Sequence, residues 1–124
     1  MDITPVLSET KQLIQRYGSG AFTIAGVEYS SSVLVFPERT LPWSVTSFAD
    51  IMEASFEPVI FKASEVEILI LGCGKTQAFV APELRESLKR HGIILDSMDT
   101  GAACRTFNIL LAEERRVAAA LIAL

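Results

Sequence analysis

The chain carries a single histidine and two cysteines in 124 residues, and these shortages close off several chemistries. Any Ser-His-Asp or Cys-His catalytic set would have to be built around His91 alone. Two thiols, Cys73 and Cys104, with one imidazole and no Cys-x-x-Cys pair leave a structural zinc site short of ligands. The chain is neither cysteine-dense nor so small that it needs disulfide staples, which points to a reducing, cytoplasmic home. Basic residues are scarce too: 11 Lys and Arg stand against 15 Asp and Glu, a net charge of −4. Nucleic acid and anionic membranes are bound by clustered cations, so neither suits this chain as a partner. The densest basic cluster, Arg85, Lys89 and Arg90, is interleaved with Glu83 and Glu86 and reads as a solvated helix face. Long apolar runs are missing. The longest, VAAALIAL at 117–124, falls well short of the ~20 residues of a spanning helix. The opening MDITPVLSETK has neither the basic start nor the apolar stretch of a signal peptide. A soluble chain with no integral membrane segment is expected.

What is present is a hydrophobic share of 50%, enough for one packed domain whose sheet is covered on both faces or whose surface meets another chain. No repeat, linker or low-complexity segment divides it, so residues 1–124 read as one domain, with 1–17 as an N-terminal extension. The organising stretch is VEILILGCGKT, residues 66–76. Its continuous apolar run predicts a central strand over Val66–Leu71, buried on both faces, that stops at a glycine-rich rim.

Around it the pattern alternates between strand and helix signals. Val6, Leu7, Leu13, Ile14 and Tyr17 are spaced for a helix over 5–17, stopped by Gly18. Phe22 to Ile24 and Val27 to Tyr29 flank Ala25-Gly26 as two short strands around a turn. Val33 to Phe36 is a third strand, ended by Pro37. Glu38 to Trp43, with two prolines, is a loop or edge segment that returns Trp43 to the core. Ser47 caps a short helix, Phe48 to Ala54, with Phe48, Ile51 and Met52 facing inward. Pro58 to Lys62 fits either a helical turn or a strand. Pro82 opens a helix that Gly92 ends, with Leu84, Leu88 and His91 on one face. Ile93 to Asp96 is a second buried strand, which completes a βαβ unit. Residues 100–113 form a helix capped by Thr100, Glu113 to Arg116 break it, and the alanines of VAAALIAL favour helix by propensity.

Several motifs invite chemistry. Gly74-Lys75-Thr76 after a strand resembles a phosphate loop, but the full pattern needs a glycine where Leu69 stands, and no helix starts at Lys75. Gly72 and Gly74 therefore read as a tight turn off a strand end, or as a loop whose N–H groups take an anion or a backbone. The start of the 100–113 helix would be the other wall, its free N–H groups favouring negative charge. Arg105 would reinforce that attraction or simply pair with Asp99. Cys104, in the first turn beside Arg105, sits where a thiol pKa can fall. It lacks a nearby base, so a buried small hydrophobe is its default role. Cys73 is expected to be exposed in the loop. The phosphatase spacing of Cys, five residues, Arg fails for both thiols, since it would demand arginine at Phe79 or Leu110.

The opening Gly20-Ala21-Phe22-Thr23-Ile24, Ser32 to Val35, Pro42-Trp43, the strand from Ile68 to Gly74 and above all the run from Met98 to Leu124 carry a family likeness. The chain resembles a family of small proteins whose eukaryotic relatives include a mitochondrial respiratory complex I assembly factor and an adipogenesis-associated protein. The resemblance covers roughly residues 17–124. It implies a three-layer α/β fold: a central mixed β-sheet flanked by helices, with an additional β-hairpin layer. It also makes Val117 to Ile122 a strand, against propensity. The family's recurring positions fall on Gly72, Gly74, Thr100, Ala103, Cys104, Thr106, Asn108 and Arg116, and relatives often have threonine in place of Cys73. No catalytic residue, metal or cofactor is implied.

The leading expectation is a non-enzymatic protein-binding or assembly-factor-like module with a protein partner. Its site is the crevice between Gly72, Cys73, Gly74 and Lys75 and the segment carrying Asp99, Thr100, Cys104, Arg105 and Asn108. The alternative is a small-molecule or anion-binding enzyme using the same crevice, and a third reading is a homo-oligomer that buries an edge strand.

Overall fold

The structure, a computed structural model, describes residues 11–124. Eight strands and three α-helices follow in the order β1 Ile14–Gly18, β2 Ala21–Ile24, β3 Val27–Tyr29, β4 Ser32–Val35, β5 Thr40–Trp43, α1 Glu57–Phe61, β6 Ile68–Gly72, α2 Pro82–Arg90, β7 Ile94–Met98, α3 Thr100–Ala112 and β8 Val117–Leu121. The expected α/β architecture holds. A five-stranded mixed sheet runs in the order β5-β4-β8-β6-β7, and the additional layer is a three-stranded antiparallel sheet, β1-β2-β3.

The central sheet is built around β6 and β8. β6 pairs in parallel with β7 on one side and β8 on the other, while β4 runs antiparallel to β8. All five residues of β8 are buried, and they divide by alternation. Val117, Ala119 and Leu121 face a core made with Phe107, Leu111, Cys104 and the β1–β2 hairpin. Ala118 and Ala120 face the opposite core, with Phe56, Val59, Leu69, Leu71 and Leu88. An alanine-rich strand lets layers approach closely on both faces, and this packing overrides the helical preference of alanine.

Helix ends follow from the sequence in a readable way. After α2, Gly92 takes φ +79°, its N–H bonds Lys89 O at 2.8 Å and the Ile93 N–H bonds Leu88 O at 3.1 Å. This is the paired closure in which a left-handed residue satisfies the last carbonyls. α3 closes identically, Glu114 N–H to Leu111 O at 3.0 Å and Arg115 N–H to Leu110 O at 3.0 Å. Here a glutamate, not a glycine, holds the left-handed φ of 60°.

Several expectations need correction. The segment read as helix and N-terminal extension contains β1 from Ile14 to Gly18, with Ile14 buried; the earlier part, residues 1–10, lies outside the described residues. The helix expected over Phe48 to Ala54 is two short 3-10 turns, Phe48–Asp50 and Glu53–Phe56, and Met52 points outward at 64% exposure. The strand expected at Ile93 to Asp96 runs from Ile94 to Met98 at the sheet edge, so Ile94 and Asp96 are exposed. His91 is exposed at the end of α2. Pro58 to Lys62 resolves as helix α1. Pro42 is tolerated within β5 because that strand is an edge, and Trp43 returns to the core as expected, its Nε1 donating to Ser55 O at 2.8 Å.

Candidate functional site

β6 ends at Gly72 between two neighbours, and its carbonyl accepts from Ile122 N–H at 3.0 Å. A side chain at Gly72 would come within 3.0 Å of the Thr100 Cα and 3.1 Å of Leu121 Cδ2, so only glycine lets the start of α3 lie this close to the strand end. The chain then continues by lacing itself to the far wall. Cys73 N–H donates to Met98 O at 2.8 Å, and Thr100 N–H donates to Gly74 O at 2.8 Å. The Thr100 hydroxyl completes the joint, accepting from Gly74 N–H at 2.9 Å and donating to Ile122 O at 2.8 Å. Gly74 itself takes φ +104°, with open space where a Cβ would sit. From Gly72 to Gly74 the two expected walls are therefore hydrogen-bonded to each other. No helix begins at Lys75, consistent with the failed phosphate-loop pattern.

The cap of α3 is Asp99, whose Oδ1 accepts from Ala102 N–H at 2.8 Å. Thr100 is the first helical residue, and its hydroxyl is spent on tertiary partners, so its expected capping role is corrected. The carboxylate of Asp99 already answers one free N–H of the helix start and adds the charge that the dipole favours there. Arg105 turns away from it and donates from Nη1 to the Tyr17 hydroxyl at 2.6 Å; among the described residues it forms no ion pair. The Tyr17 ring lies against Gly101, where an added Cβ would meet the ring at 3.1 Å. One turn further on, Asn108 acts as a substitute strand: its Oδ1 accepts from Ile14 N–H at 2.9 Å and its Nδ2 donates to Ile14 O at 2.8 Å. It ties the outer sheet to α3.

Both thiols are buried. Cys73, expected in the open, is 7% exposed because the loop folds back over it, and burial pushes its pKa up. Cys104 is 1% exposed. Desolvation lifts its pKa to about 12, outweighing the opposite pull of Arg105. A thiol in this state holds its proton near neutral pH and lies among Phe107, Ala103 and Val33 as a small hydrophobe. Of the nine candidate residues, Lys75 and Arg105 face solvent, Gly74, Asp99 and Asn108 are half-buried, and Gly72, Cys73, Thr100 and Cys104 lie inside.

The family described as "Protein of unknown function (DUF498/DUF598)" matches residues 14–122. The chain belongs to this family. A mouse relative, NADH dehydrogenase [ubiquinone] 1 alpha subcomplex assembly factor 3, is 34% identical over 109 residues, which are 88% of this chain and 59% of the relative. An uncharacterised protein of Rhodobacter capsulatus is 36% identical over 109 residues, 88% of this chain and 82% of that protein. The solution structure of a Bordetella pertussis protein, a Mth938-like domain, superposes with a TM-score of 0.84 at 28% identity, covering 98% of this chain and 92% of that one. The chain thus spans about three-fifths of the length of the assembly-factor relatives it matches.

In this DUF498/DUF598 chain three residues make contacts that their local sequence does not announce. The spacing of Tyr17 predicts a helix face, yet its side chain lies on α3 at Gly101 and Arg105. Arg85, read as solvated, donates to Leu95 O at 2.7 Å and Ser97 Oγ at 3.1 Å, and Gln77 donates to Ser97 O at 3.1 Å. Ile94 N–H donates to Glu67 O and Met98 O accepts from Cys73 N–H, the residues that flank β6, so by alternation Leu95 and Ser97 point their backbone groups toward the free edge of β7. Arg85 and Gln77 cap those outward carbonyls and blunt the edge against another strand. The interleaved Glu83 and Glu86 were the signal that hid this role. Arg116, a position the family likeness marks, bonds Ser64 O at 3.2 Å and joins Arg115 beside Glu67. Among the described residues no helix is long and apolar enough to cross a membrane.

Proposed function

We propose that this chain is a non-enzymatic protein-binding module that assists the assembly of a larger complex, and that its partner is engaged at the outer rim of the joint. Lys75, Asp99 and Arg105 present the rim, with Tyr17 held on Gly101 by Arg105. Gly72, Cys73, Gly74, Thr100, Cys104 and Asn108 support it from behind. The observation that carries the reading is the division of labour at the joint: the Thr100 and Asn108 side chains are spent on internal bonds, and what faces solvent is the tyrosine–arginine pair and, from the loop, Lys75. Tyr and Arg are the residues that protein interfaces favour, since they combine apolar area with directed hydrogen bonds. The name borne by the vertebrate relatives, an NADH dehydrogenase assembly factor, agrees with such a role. Quantitative affinity purification from the organism that encodes the chain tests it, comparing wild-type bait with Arg105→Glu and Tyr17→Ala. A defined protein that is enriched by the wild type and lost with both variants is expected. Identical recoveries from all three baits would remove the rim from the account.

A further inference from the structure

On the other side of the central sheet from α3, two large apolar side chains stand in water: Phe79 is 83% exposed and Met52 is 64% exposed. Both line one groove of about 390 Å³, whose remaining apolar lining includes Phe48, Ile51 and Leu84. That floor is not loose, because Phe48, Ile51 and Leu84 pack on the core that contains Phe56, Val80 and Leu88. Among the described residues, the charged ones lining the groove are Glu53 and Glu83, with no lysine or arginine. Glu53 is held in place, its Oε1 accepting from the Ser87 hydroxyl at 2.7 Å.

We propose that this groove docks an amphipathic helical segment of a partner protein, one whose apolar anchors are flanked by lysine or arginine. An amphipathic helix would meet such an apolar floor with side chains spaced i, i+3, i+4 and i+7 along one face. The two carboxylates at the groove select the sign of the flanking charge and repel the wrong one. The same carboxylates oppose two other occupants. An anionic bilayer would meet like charge, and a second copy docking groove to groove would set Glu53 and Glu83 against their own equivalents. The groove packs on the core opposite the one that holds Ala103, Cys104 and Phe107 of α3, and it shares no lining residue with the rim proposed above, so each surface stands or falls by itself.

The test titrates the full chain with a short synthetic helix bearing leucines at those spacings and lysines beside them, followed by backbone amide NMR shifts. A second peptide keeps the leucines and replaces the lysines with glutamates; a third keeps the lysines and replaces the leucines with serines. The lysine–leucine peptide is expected to shift residues 48–53 and 79–84, and the other two to bind at least roughly tenfold more weakly. Phe79→Ser should weaken the first peptide by roughly tenfold, as should Glu53→Lys with Glu83→Lys. Because Phe79 is exposed, its replacement leaves the melting temperature unchanged, which separates lost docking from lost fold. Lack of binding, equal binding of the charge-reversed peptide, or shifts centred elsewhere would overturn the proposal. So would the same shifts produced by anionic vesicles or by raising the concentration of the protein alone.

Discussion

Replacing Thr100 with valine isolates the joint that holds the strand end, the loop and the helix together. Valine matches threonine in shape, so packing at this fully buried position is kept and only the hydroxyl is lost. That hydroxyl serves Gly74 N–H and Ile122 O at once. Each buried polar group left without a partner costs about 1–3 kcal/mol. The Gly74 end is half-buried, so water recovers part of its loss, and the new methyl adds a few tenths to about 1 kcal/mol of burial. The net loss is about 2–3 kcal/mol. In a domain of this length that lowers the melting temperature by roughly 6–15 °C. Thr100→Ser makes the opposite change, keeping the hydroxyl and losing a methyl at about 0.5–1.5 kcal/mol. Urea unfolding of both variants, monitored by Trp43 fluorescence, gives the comparison directly. A valine variant as stable as the serine variant, or more stable, would refute the claim that the hydroxyl is the joint.

Asn108→Leu should cost about 2–4 kcal/mol, because it strands both backbone groups of the buried Ile14; hydrogen exchange should show the Ile14 amide losing protection, and an unchanged rate would contradict the substitute-strand role. Glu114→Gly should stabilise by about 0.5–1 kcal/mol, measured by thermal melting, since it relieves a left-handed glutamate that closes α3. The Cys104 thiol titrates at about 12 when folded and near 9.0 when unfolded. A raised pKa means stability that is complete below the unfolded value and lost as pH rises toward the folded one. Unfolding curves between about pH 9 and 12 should therefore fall less steeply for Cys104→Ala than for the wild type, and parallel slopes would count against the burial account. Glu67, held below its ordinary value chiefly by the hydrogen bond from Arg115, contributes on the other side. Its stabilisation is present above the ordinary glutamate pKa and lost as pH falls through the lower folded value, a dependence that Glu67→Gln should remove.

The architecture was legible where the pattern itself carried the physics. The unbroken apolar run of β6, the Pro82 start and Gly92 stop of α2, and the turn at Ala25-Gly26 each encode their element locally. β8 needed the family likeness, because its alanines favour helix by propensity and become strand only when two layers close on them. The misread elements share a cause, which is that distant partners decide them. β1 looks helical by spacing, yet its partners are β2 and, 94 residues away, Asn108. Thr100 is as good a cap as Asp99 by type, but Ile122 and Gly74 claim its hydroxyl. β7 was read as buried because Ile93-Ile94-Leu95 is apolar throughout, and its position at the edge is a property of the sheet order. Cys73 follows the same logic, exposed by its place in a loop and buried by where that loop folds.

Photo-crosslinking asks whether the rim beside the joint meets a protein partner. A photoreactive residue is placed at Lys75, and separately at the exposed Arg90 at the end of α2, in the full chain expressed in its own organism. A discrete crosslinked protein is expected from position 75, lost with Arg105→Glu, and none of that product from position 90. Equal products from both positions, or none from position 75, would contradict it.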